Sequence, residues 1–137
     1  MNVKQDINAI FFDIDGTFFD HKTRTIPQSN IQAAKLLQQK GYKIALATAR
    51  PLASIKELPV LDNIQWDGIV CAGGQLVYNE KYKLIYKDCF TKEELDEIFS
   101  IAKKEQITVY AYGEKDFFTQ DSPLIENFKN RFNLKVI

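Results

Sequence analysis

The sequence has few of the side chains that build metal centres from nitrogen and sulfur, with one histidine and two cysteines in 137 residues. A single histidine disfavours a multi-histidine metal centre and a histidine nucleophile, and we interpret His21 as a surface-loop residue. Cys71 and Cys89 lack the CxxC spacing of zinc and redox motifs. We therefore interpret them as reduced, partly buried thiols of a cytoplasmic protein.

An excess of charge of one sign is also absent, because 18 Lys and Arg residues balance 18 Asp and Glu residues. We therefore expect no broad electrostatic binding of nucleic acid or of an anionic membrane surface. No apolar run approaches the length that spans a bilayer, and the start of the chain is too short and polar for a secretory signal. With 45% hydrophobic residues, the chain is typical of a soluble globular protein with one ordinary core and room for part of a second small unit.

What the sequence does contain, up to Gly74, is an alternation of short apolar strands and amphipathic helices. Continuous apolar runs of this kind are typical of a parallel sheet that is covered on both faces. The order β-α-β-α-β predicts right-handed crossovers and helices on both faces of the sheet. The predicted elements are a strand at 7–12, a helix from Pro27 to Gly41, a strand at 42–47, a short helix from Pro51 and a strand at 69–72.

After Gly74 the pattern changes to hairpins and a capped helix, so we place a domain boundary near residue 80. The two predicted domains are residues 1–80, the α/β core, and residues 81–137, an α+β unit. Thr91 and Glu94 have the spacing of a capping box at the start of a helix. The other predicted elements are a hairpin of 75–78 with 83–87, strands at 107–112 and 116–119, a helix from Pro123 and the start of a strand at 134–137.

The strongest chemical signal is Asp13-Ile14-Asp15-Gly16-Thr17, directly after the first strand. Residues i and i+2 of an extended segment point the same way, so both carboxylates converge at the carboxyl edge of the sheet. Like charges so close call for a cation, a shared proton or a substrate, and Mg²⁺, which prefers oxygen ligands, would supply the first. Gly16 lets the backbone turn sharply and approach an anion closely.

A second signal follows the second strand, where Thr48 can face the same crevice and Arg50 can meet an anion with two hydrogen bonds. An alternative is that Thr48 only caps the following helix, and that Arg50 is an ordinary exposed arginine. The pair Gly73-Gly74 indicates a tight turn, and the aromatic pairs Phe18-Phe19 and Phe117-Phe118 indicate packing.

Two alternatives compete for the acidic pair itself. Acidic residues in loops are often simply solvated, but this pair follows an apolar strand and precedes Gly-Thr, a setting that favours function. An EF-hand calcium loop is excluded, because counting from Asp13 places Phe18 where the loop needs glycine and Arg24 where it needs glutamate.

Taken together, residues 11–17 and Ala47-Thr48-Ala49-Arg50-Pro51 resemble the haloacid dehalogenase superfamily, and more closely its Cof-type phosphatases with an α+β cap. The similarity runs from about residue 7 to the last residue. It implies a partial Rossmann-like, three-layer core with a parallel sheet, followed by the first part of the cap. Family members usually carry Asn where this chain has Gly73.

The resemblance implies a mechanism for hydrolysis of a small phosphorylated metabolite. Asp13 would attack the phosphorus and form an aspartyl-phosphate, while Asp15 would act as general acid and then general base. Mg²⁺ would bind the Asp13 carboxylate and the Asp15 carbonyl. Thr48, Arg50 and backbone amides near Gly16 would bind the phosphoryl oxygens.

The resemblance also implies that the chain stops inside the cap, before a lysine and metal-binding aspartates that complete the family's site. In the family a later strand pairs beside the first one. If the chain is complete, residues 7–13 form an exposed apolar edge, and we expect a homodimer or a swapped segment to cover it.

Three functions remain open on the sequence alone. The first is the N-terminal part of a Mg²⁺-dependent phosphatase. The second is a non-catalytic protein that binds phosphate or a protein partner. The third is a phosphate-accepting receiver domain, which is disfavoured because a receiver's acidic pair is usually adjacent and because such a domain has no place for the cap-like half.

Overall fold

The structure is a computed structural model that describes residues 8–112 and the backbone of residues 117–118. It contains seven strands and three α-helices in these residues, joined by turns and short 3₁₀ segments. In chain order they are β1 (Ala9–Phe12), α1 (Gln28–Gln39), β2 (Lys43–Ala47), α2 (Leu52–Lys56), β3 (Gly68–Cys71), β4 (Leu76–Asn79), β5 (Leu84–Lys87), α3 (Lys92–Lys104), β6 (Tyr110–Ala111) and β7 (Phe117–Phe118).

Five of the strands form one sheet in the order β1-β2-β3-β4-β5. The first three are parallel, with Phe12 opposite Leu46 and Leu46 opposite Ile69, whereas β4 and β5 are antiparallel to their neighbours. This mostly parallel sheet with helical connections confirms the predicted α/β class and the β-α-β-α-β order. Short apolar runs of four or five residues therefore did form the strands, although no residue of β1 is fully buried.

Burial alternates along these strands, so the described residues cover one face of the sheet well and the other less. Ile44, Leu46 and Ile69 are fully buried, whereas Ala45 on the opposite face is half-buried and Phe11 is 59% exposed. The face that carries Ile44 and Leu46 is therefore the covered one among the described residues, and the expectation of helices on both faces stays a prediction.

Helix α1 begins and ends where its flanking residues stop a helix. Pro27 is the N-cap residue, one position before the first turn in which it was predicted. Gly41 follows the C-cap with φ of 85°, and its N–H donates to the Gln38 carbonyl at 2.9 Å. A left-handed C′ residue is a common way to end a helix and is easiest for glycine.

An aromatic cluster under the sheet connects the strands to the loop after β1. Trp66 and Phe18 are buried, and their rings meet edge to face with centroids 5.1 Å apart. Phe12 packs against both rings in the same manner, at 5.5 and 5.8 Å. The indole N–H of Trp66 donates to the Val60 carbonyl at 2.8 Å, which satisfies its polar atom. Phe18 therefore anchors the acidic loop in the core, as its predicted packing role requires.

The chain divides into two compact units, Met1–Lys87 and Asp88–Ile137. The hairpin of β4 and β5 extends the large sheet. The first unit therefore includes β5 and runs past the predicted boundary at residue 80. The assignment of residues 1–80 to a core and 81–137 to a cap stays a prediction.

In the second unit, α3 begins with the predicted capping box. Thr91 Oγ1 accepts from the Glu94 amide at 3.2 Å, and the Glu94 carboxylate accepts from the Thr91 amide at 2.8 Å. Strands β6 and β7 pair antiparallel over only two residues each, which is shorter than predicted. The predicted helix from Pro123, the strand at 134–137 and the side chains of Phe117 and Phe118 lie outside the described residues.

The two cysteines are free thiols. Cys71 is buried on β3, and burial raises the pKa of its thiol to about 11. Cys89 is exposed, so the prediction of partial burial is wrong for that residue. None of the described helices is both long enough and apolar enough to cross a membrane.

Candidate active site

The acidic pair lies at the carboxyl end of β1 in an alternating pattern of exposure. Asp13 and Asp15 are exposed, whereas Ile14 between them is fully buried. Ile14 lies in the turn that follows β1, and its burial fixes this part of the loop against the core. The structure therefore leaves both predicted catalytic side chains accessible at the end of β1.

The backbone turns back immediately after the pair. The Ile14 carbonyl accepts amides from Thr17, Phe18 and Phe19, the last at 2.8 Å. Gly16 takes φ of 76°, and its N–H donates to the Phe19 carbonyl at 3.0 Å. The Gly16 amide is thus used within the turn, so its predicted contact with phosphate stays untested and its observed role is to form the turn.

Arg50 forms a bidentate ion pair with Asp15. Its Nε lies 2.8 Å from Asp15 Oδ2 and 3.1 Å from Oδ1, and its Nη2 lies 2.8 Å from Oδ1. The guanidinium matches the planar geometry of a carboxylate. The sequence predicted an anion partner for Arg50, and in this structure that partner is the carboxylate of Asp15.

Arg50 is held from several directions, and its side chain is only 10% exposed. Its amide donates to Thr48 Oγ1 at 3.1 Å and its carbonyl accepts from the Ala72 amide at 2.9 Å. At the other end of the residue, Nη1 donates to the buried Ser54 Oγ at 2.7 Å. The guanidinium is therefore preorganised for an anion at the position of Asp15.

Thr48 lies directly beyond β2, at the same sheet edge as Asp13. The register pairs Phe12 with Leu46, so the two strands end side by side. Thr48 does not cap α2, whose N-cap is Pro51 without a side-chain bond. Its buried hydroxyl accepts the Arg50 amide, and a hydroxyl that accepts one bond can still donate another. This geometry is compatible with the predicted phosphate contact.

Sequence reasoning missed two residues that contact this site. His21 was interpreted as a plain surface residue; it is exposed, but its Nε2 lies 2.6 Å from Asp15 Oδ1. Only the tertiary turn brings it there, so no pattern in the sequence marks it. Ser54 lies in α2 whereas Arg50 precedes the N-cap residue Pro51, so no helical spacing in the sequence marks their contact.

These contacts determine the ionisation of Asp15. Burial raises the pKa of its carboxyl, but hydrogen bonds and charge from Arg50, and then from His21, outweigh burial and hold the pKa below its usual value of 3.8. Both partners stabilise the anion. Asp15 is therefore a carboxylate at neutral pH in this arrangement.

The residues present fit a Mg²⁺ ion in part. The Asp15 carboxylate is occupied by Arg50, which disfavours it as a side-chain ligand. Asp15 and Phe19 form an isolated β-bridge, in which Phe19 bonds to the Ile14 carbonyl and to the Gly16 amide. The Asp15 carbonyl takes no part in these two hydrogen bonds. Within residues 8–112 there is no group of three His, Cys, Asp or Glu residues that could hold a metal. Asp13 and the Asp15 carbonyl thus match the sparse protein ligation of Mg²⁺.

Comparison with known proteins identifies the family to which the chain is similar. The family model of the haloacid dehalogenase-like hydrolases matches residues 10–136. The chain is 35% identical over 83 residues to YkrA of Bacillus subtilis (strain 168), a protein named as a presumed phosphatase; this covers 61% of the chain and 31% of YkrA.

Solved structures show the same fold. BT1666 of Bacteroides thetaiotaomicron, from a study of phosphatases of this superfamily, superposes with a TM-score of 0.82 at 23% identity, over 99% of this chain and 50% of that one. The sugar phosphatase BT4131 superposes with a TM-score of 0.74 at 27% identity, over 95% of this chain and 51% of that one. The chain thus spans about half of these structures. With its two motifs at adjacent strand ends, the chain belongs to the haloacid dehalogenase-like hydrolases, as a member of the Cof type.

Proposed function

We propose that this chain contributes the nucleophile end of a phosphatase that hydrolyses small phosphate monoesters. The observation that carries the proposal is the exposed pair Asp13 and Asp15 at the carboxyl edge of the sheet, beside Thr48 and a preorganised Arg50. Ligands of open α/β sheets bind at this edge. A nucleophile, an acid-base group and anion-binding donors are the parts that phosphoryl transfer requires.

The reaction has two steps on these residues. A carboxylate oxygen of Asp13 attacks the phosphorus, the bond to the leaving oxygen breaks, and the proton on Asp15 passes to that oxygen. A water molecule then attacks the aspartyl-phosphate, and Asp15 accepts the proton that the water loses. Inorganic phosphate leaves and the Asp13 carboxylate is restored.

The position of Arg50 determines whether Asp15 is ionised, as the second step requires, or protonated, as the first step requires. In the arrangement seen here it keeps Asp15 ionised, which suits the base in the second step. An arriving phosphate offers Arg50 a second anionic partner. A guanidinium shared between the phosphate and Asp15 would stabilise the Asp15 anion less, and Asp15 would then take up a proton more easily for its role as acid.

Mg²⁺ would be held by the Asp13 carboxylate and the Asp15 carbonyl. When bound, it supplies positive charge that offsets the repulsion between a carboxylate nucleophile and an anionic phosphate. The neighbouring protein groups act in the same direction, because Thr48 and Arg50 offer hydrogen-bond donors at the same sheet edge.

The substrate we propose is a small phosphorylated metabolite, and the similar BT4131 makes sugar phosphates the first class to test. We also propose a cytoplasmic location, because both cysteines are free thiols and such thiols are typical of reducing compartments.

The first prediction tests turnover directly. The chain should hydrolyse 4-nitrophenyl phosphate with Mg²⁺, and Asp13→Asn should lower kcat on the order of 10³-fold or more, because the amide is a far weaker nucleophile. Asp62→Asn, which changes an exposed carboxylate elsewhere, is the matched control and should keep wild-type activity. Rapid quenching and mass spectrometry should find one phosphoryl group on the wild-type chain and none on Asp13→Asn. Equal activity of wild type and Asp13→Asn would contradict the proposal.

A second function, phosphate binding without turnover, is favoured by one observation. Arg50 holds Asp15 as an anion, which weakens it as an acid. Calorimetric titration with inorganic phosphate distinguishes the two functions. Binding that Arg50→Met abolishes, in a chain that shows neither turnover nor a phosphoryl adduct, would favour this function over hydrolysis.

A further inference from the structure

His21 makes a contact with the acidic pair that the proposed mechanism does not use. Its Nε2 lies 2.6 Å from Asp15 Oδ1, and the two side chains are 52% and 37% exposed. A carboxylate oxygen can only accept, so Nε2 carries the hydrogen of this bond. The contact bridges six positions of sequence and forms only because the chain turns back after Gly16.

The loop holds His21 in this position from both sides. The imidazole packs edge to face on the buried ring of Phe19, with centroids 5.2 Å apart. Asp20, just before it, closes the loop: its amide donates to the Thr25 carbonyl at 2.9 Å, and its carboxylate accepts from the Lys22 amide and the Thr23 hydroxyl at 2.8 and 3.1 Å. His21 is therefore a fixed donor rather than a freely rotating surface side chain.

The donors around Asp15 are distributed unequally over its two oxygens. Oδ1 accepts from His21 Nε2, from Arg50 Nη2 at 2.8 Å and from Arg50 Nε at 3.1 Å, whereas Oδ2 accepts from Arg50 Nε at 2.8 Å. Arg50 Nε carries one hydrogen, which lies closer to Oδ2, so His21 Nε2 and Arg50 Nη2 are the two donors that use both lone pairs of Oδ1. Oδ2 is therefore the oxygen that can exchange a proton with substrate or water.

We propose that His21 is a positioning residue for Asp15, which fixes the plane of the carboxylate and leaves Oδ2 as the proton-exchanging oxygen. The role rests on the proposed phosphatase function. Rotation about the terminal bond of an aspartate is soft, so one partner does not define its plane. Arg50 and His21 meet Oδ1 from different residues of the fold and together restrict that rotation. Small misplacement of a reacting group costs rate rather than binding.

The contact itself can be observed without activity, because His21 is the chain's one histidine. A long-range ¹H–¹⁵N spectrum of the full chain then shows a single imidazole. We expect Asp15→Asn to shift both ring nitrogens, and Lys22→Gln, a neighbour in the same loop, to leave them in place. Ring signals that do not respond to Asp15→Asn overturn the inference.

Kinetics test the consequence. His21→Phe keeps a ring against Phe19 and removes the donor, so kcat for 4-nitrophenyl phosphate with Mg²⁺ should fall roughly 10-fold with KM little changed. His21→Gln places an amide N–H near the Nε2 position and should recover most of the loss. Lys22→Gln should match wild type.

The outcomes separate this inference from the proposed function. Wild-type turnover with equal kcat in His21→Phe and Lys22→Gln overturns the role of His21 and leaves the phosphatase intact. A rise in KM with unchanged kcat also overturns it, because that result indicates substrate binding. A wild-type chain without turnover overturns both, even when the imidazole signal reports the contact with Asp15.

Discussion

Gly16 and Gly41 both have a left-handed backbone, but only Gly16 lies in the acidic loop of the site. Gly16 has φ of +76° in the acidic loop and Gly41 has φ of +85° after α1. A Cβ added at either glycine meets no atom within 4 Å. Any cost of alanine at these positions therefore comes from the backbone conformation and not from a clash.

We predict that Gly16→Ala and Gly41→Ala each lower the free energy of unfolding by about 1 kcal/mol, measured by urea titration. Only Gly16→Ala should lower phosphatase activity, because its turn places Asp15 and His21. Equal loss of activity in the two variants would show that the effect arises from general stability and not from the loop.

At the scale of elements, Asp67 connects the strand β2 to the segment before β3. Its Oδ2 accepts the Ile44 amide at 3.0 Å, its Oδ1 accepts Lys43 Nζ at 2.7 Å, and its own amide donates to the Ile44 carbonyl at 2.8 Å. Burial raises the pKa of Asp67, but Lys43 and the Ile44 amide outweigh burial and hold it below 3.8. The Asp67 carboxylate therefore accepts a backbone amide at the start of β2 that would otherwise bond to a neighbouring strand.

We predict that Asp67→Ala lowers the free energy of unfolding by about 1–3 kcal/mol at neutral pH, because the Ile44 amide loses its acceptor. A carboxyl with a lowered pKa in the folded state stabilises the fold above its unfolded pKa and loses that contribution as pH falls through the folded pKa. The difference between wild type and Asp67→Asn, which lacks the charge, should shrink on acidification below about pH 4. A difference that is constant with pH would contradict the ion pair.

At the scale of the whole molecule, the open question is what lies beside β1. Among the described strands, β1 stands at one end of the sheet, pairs with β2 alone and exposes 59% of Phe11. An unpaired apolar edge is a template for another chain. For a chain of these 137 residues, we propose that a second copy covers this edge, directly or by a swapped segment.

Light scattering after size exclusion should therefore report a dimer. Phe11→Lys should shift it to a monomer, because a charge on an edge strand opposes pairing. Phe11→Tyr keeps an aromatic ring and should remain dimeric. A monomeric wild type at micromolar concentration would contradict the proposal.

The strand and helix order could be read from the chain because each element carries its own local signal. Apolar runs became β1, β2 and β3, Gly41 ended a helix and Thr91 with Glu94 capped one. The covered faces of the sheet could not be read in this way. A continuous apolar run does not say how many layers pack on it, and here burial alternates along the strands.

The candidate site divides in the same manner. Asp13 and Asp15 could be selected from the sequence because they directly follow an apolar run, and both are exposed at the end of β1. Thr48 and Arg50 could be placed near them because parallel strands end at one edge. The partner of Arg50, however, depends on a distance between side chains 35 positions apart in the chain.

The sequence by itself thus determined the fold class and the residues available for chemistry, because period, caps and motif spacing are local properties. Only the tertiary structure decided that Arg50 pairs with Asp15, that Ser54 supports Arg50 and that His21 reaches Oδ1. These contacts set the charge and orientation of Asp15. They depend on how separate turns and strand ends pack together, which no window of sequence encodes.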